Sequence, residues 1–257
     1  MTGCWLVGST AAAVACAGAV RGTARAQPLR DPAVTIAVVA GGGPASLSGS
    51  AFGATRPPLS PGVLQSRPGR ALGLAVAVPV RWGFALRPEL LFTRRGGHVG
   101  YVISGIPHDY SGPLDEDLRL TAVEVPVLLE YAPLGRGWLQ PRVYAGPAWV
   151  HLRDCALTYT YGGTDGATVG CDAPRVSGVF RSPRANSWPA VIGAEVRVRL
   201  PGRALPILTV GVRDDRGRTD LQAQAAALGT VRTRLLAYYG GIAIGLGRAG
   251  HAQRGGG

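Results

Sequence analysis

From Ala71 to Trp82 every second residue is bulky and apolar (Leu72, Leu74, Val76, Val78, Val80, Trp82), and those between are small or polar (Ala71, Gly73, Ala75, Ala77, Pro79, Arg81). A period of two sends alternate side chains to opposite faces, so this segment is a strand with one apolar face. Four more segments keep the apolar stripe and place charge on the other face. Phe84, Leu86, Pro88, Leu90 and Phe92 oppose Arg87, Glu89, Leu91 and Thr93, and Val123, Val125, Val127, Leu129 and Tyr131 oppose Glu124, Pro126, Leu128 and Glu130. Ile192, Ala194, Val196, Val198 and Leu200 oppose Gly193, Glu195, Arg197 and Arg199, and Leu208, Val210 and Val212 oppose Ile207, Thr209, Gly211 and Arg213. In a soluble sheet the apolar face meets a second layer and the charges meet water. In a small membrane barrel the apolar face meets lipid, and the charges turn inward and pair.

Beyond residue 26 no apolar run approaches the 18 or so residues of a membrane helix, whereas a barrel span needs only about 10 alternating residues. Adding Ala33–Gly42, Arg142–Arg153 and Val231–Gly247 makes eight strands, an even number. Long connections (43–69, 96–117, 154–187, 214–230) alternate with short ones (Trp82-Gly83, 133–140, 201–204). The expected fold is all-β: an eight-stranded antiparallel up-and-down transmembrane β-barrel with four long outer loops and short periplasmic turns. Its lumen is expected to hold a charge network of Arg81, Arg87, Glu89, Glu124, Glu130, Glu195, Arg197, Arg199 and Arg213. Opposite signs on neighbouring strands would plug the lumen; the alternative is a narrow ion path. Trp82, Trp138, Trp149, Trp188, Tyr131, Tyr144, Tyr238 and Tyr239 are expected in aromatic girdles at the lipid interfaces, the alternative being ordinary sheet packing.

The first 20 residues are uncharged and apolar, and Ala24-Arg-Ala26 precedes Gln27-Pro28, which reads as a leader cleaved after Ala26. The expected division is leader 1–26, barrel 27–247 and disordered tail 248–257. A lipoprotein acylated on Cys16 would need a better lipobox than Ala13-Val-Ala15. Removing the leader takes Cys4 and Cys16 and leaves Cys155 and Cys171, which in an exported chain predict a disulfide rather than two free thiols. Closing a loop of about 15 residues is worth about 3 kcal/mol in the loop-entropy picture. Every one of the 27 basic residues is Arg, and the net charge is +12. Export argues against nucleic acid as the counter-charge and favours outer-membrane lipid and lipopolysaccharide phosphates, which guanidinium groups pair with in bidentate fashion.

Three segments, Arg87-Pro-Glu-Leu-Leu-Phe-Thr-Arg-Arg-Gly96, Val123-Glu-Val-Pro-Val-Leu-Leu-Glu-Tyr131 and Pro141-Arg-Val-Tyr-Ala-Gly-Pro-Ala-Trp149, resemble successive strands of the PorT-like outer-membrane β-barrel proteins. The resemblance covers residues 70 to 150 and the remainder by pattern only. It implies an outer-membrane location, insertion by the barrel-assembly machinery and a structural or interaction role with an envelope protein partner. It implies no activity.

The chemistry-bearing residues point to no enzyme. A lipid-modifying enzyme would need a His and a Ser at the outer rim, as in His151 with Ser187 and Glu195 or His98 with Ser104, and no spacing rule supports either; His108 and His251 are expected to be solvated. The acidic runs Asp115-Glu-Asp117 and Asp214-Asp215 with Asp220 lack EF-hand spacing and are expected to be solvated loop charge. Gly245-Leu-Gly-Arg-Ala-Gly250 matches a dinucleotide fingerprint but closes a strand and opens no helix. No catalytic, cofactor-binding or metal-ligating residue is assigned. The remaining alternative is a soluble secreted barrel that binds a ligand, with apolar stripes inward and charges outward.

Overall fold

The computed structural model describes residues 34–52, 62–103, 112–134, 137–162, 166–171, 183–199, 206–218, 220–221 and 229–246. The expected leader and tail, Ser104, His108 and His251 lie outside these residues. The described strands are β1 (Val34–Ser48), β2 (Val63–Gln65), β3 (Arg67–Pro79), β4 (Phe84–Ile103), β5 (Gly112–Tyr131), β6 (Leu139–Tyr161), β7 (Thr168–Gly170), β8 (Asn186–Ser187), β9 (Pro189–Arg199), β10 (Ile207–Gly217) and β11 (Arg232–Leu246). Eight of them close a ring, β1-β3-β4-β5-β6-β9-β10-β11 and back to β1, every pair antiparallel. The short β2 adds to β4, and β7 and β8 add to β6. The eight-stranded antiparallel ring expected from the alternation is therefore the observed fold.

The hairpin between β3 and β4 turns at Trp82-Gly83, where both residues have positive φ (54° and 81°). The Phe84 amide donates to the Arg81 carbonyl at 3.0 Å. Two successive positive φ values give the primed twist that matches the flanking strands. Val34 pairs with Leu246, so the described chain begins and ends at this short-turn end.

At the opposite end the strands run well beyond the expected boundaries. Gly43–Ser48, Gly96–Ile103, Gly112–Asp117 and Asp154–Tyr161, all assigned to long loops from the sequence, are strand. They were missed because the polarity inverts along the strand. On β4 the outward residues Leu86, Leu90 and Phe92 are exposed and apolar, and inward Arg87, Glu89 and Arg95 are buried; past Arg95 the inward residues become Val99 and Tyr101. The upper barrel is thus filled by Leu47, Phe52, Val99, Tyr101, Leu114, Leu118, Leu120, Leu157 and Val231, a core of the kind a soluble β-protein has. The outward apolar stripe belongs to the lower storey alone.

Candidate functional site

The interior of the lower storey collects the charges. Five arginines (Arg87, Arg95, Arg142, Arg197, Arg213) meet five carboxylates (Glu89, Glu124, Glu130, Glu195, Asp215), so the cluster is neutral overall. Arg87 bridges two strands across the lumen: its Nη1 donates to Glu195 Oε2 at 2.5 Å and to Glu130 Oε2 at 3.2 Å, and its Nε lies 2.7 Å from Glu89 Oε1. Arg197 donates to Glu130 at 2.8 Å and to Glu195 at 2.6 Å, and Arg142 also pairs with Glu130. Arg213 donates to Glu124 and Asp215, both at 2.6 Å, and pairs with Glu89, while Arg95 pairs with Glu124. Glu124 and Glu130 have no exposed surface (0%). An ion at such a site is tolerable only because partners and hydrogen bonds replace its lost water.

Two tyrosines complete the cluster. The Tyr239 hydroxyl donates to Glu195 Oε2 at 2.6 Å, and the Arg87 guanidinium lies 5.0 Å from the Tyr144 ring centroid. Both rings lie over glycines in register on the next strand, Tyr144 on Gly193 and Tyr239 on Gly211. A Cβ at Gly193 would sit 2.3 Å from Tyr144, and one at Gly211 would sit 2.7 Å from Tyr239, so only glycine leaves room. Tyr144 and Tyr239 therefore line the lumen and are not girdle residues. Trp82, Trp138, Trp188, Tyr131 and Tyr238 are exposed on the outside, and Trp149 stacks on His151 at 5.7 Å.

Of the nine residues expected in the network, Arg87, Glu89, Glu124, Glu130, Glu195, Arg197 and Arg213 come together. Arg81 does not: β3 ends at Pro79, the alternation lapses, and Arg81 is exposed in the turn. Arg199 is half-buried at the lumen mouth, where it lines a recess of about 130 Å³ with Arg81, Arg142 and Arg197. Within the cluster, the space beside Arg87, Glu89, Arg213 and Tyr239 amounts to about 20 Å³, room for about one water. Arg95, Arg142 and Asp215 were missed, although each lies two residues along its strand from another inward position (Thr93, Tyr144 and Arg213), which the alternation alone could have flagged.

The acidic runs are also placed differently from expectation. Asp214 and Asp215 are buried on β10, and Glu116 is 3% exposed on β5, so these three are not solvated loop charge. Glu116 lies above the apolar belt, between Leu114 and Leu118, and burial pushes its carboxyl up to about 7. Outside, His98 lies 3.2 Å from Asp115, and Arg67 clasps Asp117 through two bonds of 2.8 and 2.6 Å. His151 bonds Asn186 at 3.0 Å, whereas Glu195 faces Arg142, about 30 Å further down β6 at the usual strand rise. The imagined His151, Ser187 and Glu195 grouping is therefore not assembled.

Cys155 and Cys171 form a disulfide with Cα atoms 5.5 Å apart. It ties the end of β7 to β6 beside the upper core, at the level of Leu120, and Cys171 is buried there.

No family model and no curated protein matches the chain. Among solved structures it is similar to Neisserial surface protein A (13% identity, 83% of this chain and 97% of that one, TM-score 0.41). It is also similar to the outer membrane protein OprG from Pseudomonas aeruginosa (14%, 85% and 98%, TM-score 0.45) and to Ail, the attachment invasion locus protein of Yersinia pestis (8%, 82% and 99%, TM-score 0.38).

Proposed function

We propose that the protein is a small bacterial outer-membrane β-barrel with a closed lumen and a structural or interaction role at the cell envelope, and that it is not an enzyme. One observation carries this reading: in the lower storey the charges are inside and mutually neutralised, while the exposed side chains are apolar. Leu72, Phe92, Leu129, Val143, Ile192, Val210 and Ile242 expose 52–68% of their surface. A water-facing belt of that kind would be an aggregation surface, and lipid removes the penalty. The exposed run from Phe84 to Phe92 covers about 20 Å of height at the usual barrel tilt, close to the apolar band of such proteins. A soluble ligand carrier requires the opposite polarity in this storey.

The same cluster supports the closed lumen. Five ion-paired arginines and five carboxylates occupy the lower interior among the described residues, and the apolar upper core lies over them. Purified protein in a planar bilayer is expected to give no steady single-channel current, and a reproducible unit conductance would overturn the closed lumen. Location is tested separately: the protein should co-fractionate with outer membranes and migrate differently before and after boiling. The PorT-like resemblance adds the barrel-assembly machinery and an envelope protein as expected partners, to be sought by co-purification from native membranes.

A further inference from the structure

We infer that the outer wall of the barrel carries a binding site for the phosphates of an outer-leaflet glycolipid, formed by Arg70, Arg94 and Arg119. The inference rests on the membrane reading above and adds a ligand to it.

Arg70 and Arg94 stand directly above Leu72 and Phe92, at the level where the outward face stops being apolar. They are cross-strand partners, Arg70 on β3 opposite Arg94 on β4. Arg94 in turn faces Thr121 on β5, so Arg119 is its diagonal neighbour. Like charges set directly opposite destabilise a sheet unless something of the other sign lies between them. Here the one nearby carboxylate that lines the same recess, Asp117, is already clasped by Arg67. No ion pair to Arg70, Arg94 or Arg119 is found among the described residues, and all three are exposed.

These side chains surround a recess of about 260 Å³, located where the start of β3 leaves β4: pairing with β4 stops at Arg70 and resumes at Gln65. Its floor includes Gly96, where a Cβ would lie 1.9 Å from the Leu118 carbonyl oxygen, so the floor stays backbone. The far wall is different. There Asp214 accepts from Arg216 at 2.7 Å and from Arg234 at 2.7 and 2.8 Å, so both arginines already have a carboxylate partner. Three guanidinium groups in excess at headgroup height, over an apolar wall that can hold acyl chains, match a phosphorylated glycolipid such as lipid A. Each guanidinium offers a planar fork to a phosphate, and the carboxylate in the recess, Asp117, is already held by Arg67.

The test uses the full chain in nanodiscs of neutral phospholipid doped with lipid A or with its dephosphorylated form, read by native mass spectrometry. Wild type is expected to retain one lipid A and not the dephosphorylated form. R70Q/R94Q/R119Q is expected to lower retention about tenfold or more, and R216Q/R234Q to leave it unchanged. Millimolar inorganic phosphate should not displace the lipid. Equal retention by the triple variant, equal retention of the dephosphorylated form, or displacement by phosphate would each overturn the site. Heat-modifiable migration checks that the variants fold, and the single R94Q variant, expected to lose about threefold, stands in if the triple does not. Failure of the wild-type chain to float with vesicles would sink the membrane reading itself, whereas flotation with unselective retention sinks only the site.

Discussion

Glu124 and Glu130 show what a carboxylate requires when no water reaches it. Glu124 is held by Arg95 and Arg213, and Glu130 by Arg87, Arg142 and Arg197. Removing one partner leaves an uncompensated charge, which costs far more than the pair contributes when intact. Arg213→Met strips a donor from Glu89, Glu124 and Asp215 together and should destabilise by about 3–5 kcal/mol, measured by urea unfolding in micelles. Adding Glu124→Gln should recover part of that loss, because one stranded charge goes with it. Glu116 makes a pH prediction. Its folded pKa is about 7, above the ordinary carboxyl value of 4.5, so the folded chain holds the proton more tightly than the unfolded one. Its stabilisation is complete below about pH 4.5 and is lost as the pH rises through about 7. The melting temperature of Glu116→Gln should therefore gain on wild type between pH 4.5 and 8; a constant difference would contradict the assignment.

At the scale of elements, each long strand serves two environments. β4 carries outward, exposed Leu86, Leu90 and Phe92 below Arg94, and core-facing Val99 and Tyr101 above it. The disulfide belongs to the upper half alone, joining β6 to the short β7. Cys155→Ser with Cys171→Ser should thus weaken the upper storey by about 3 kcal/mol or less while membrane insertion is retained. Limited proteolysis should cut the variant between residues 155 and 171 faster than wild type, and the heat-modifiable gel shift should persist. How far each element was legible follows its polarity. The lower halves of β3, β4, β5, β9 and β10 were readable residue by residue, because the outward stripe is bulky and the inward residues are small or charged. The upper halves were not, because their inward apolar and outward polar residues do not match a lipid-facing pattern. Tyr238 and Tyr239 make the same point in miniature: adjacent in sequence, one faces outside and the other bonds Glu195 inside.

For the whole molecule, the decisive question is which solvent the lower belt faces, and an outward charge answers it. Leu74 is 49% exposed near the middle of the belt. In water Leu74→Arg would be nearly neutral or favourable, since it replaces an exposed apolar group. In a bilayer it should cost about 2–4 kcal/mol, the depth-dependent penalty for Arg near the midplane. Equilibrium unfolding of the two proteins from lipid vesicles measures the difference, and a value near zero would be evidence for a soluble barrel. The closed lumen predicts that this substitution leaves conductance absent, since Leu74 points away from the charge cluster.

The chain by itself determined the period, the eight strands, the outward apolar residues of the lower belt and the pairing of Cys155 with Cys171. These are local properties: alternation is written within a single strand, and the two cysteines that remain beyond the expected leader admit one bridge. Only the tertiary structure decided which charges meet. Arg87 reaches Glu195 across 108 positions of sequence because β1 closes on β11 and the register of every intervening pair sets their common height. It also decided that Arg81 stays outside the cluster, that Arg95, Arg142 and Asp215 join it, and that Arg70 and Arg94 stand opposite each other. Ring closure and register are sums over all eight strand pairs, and no single segment carries that information.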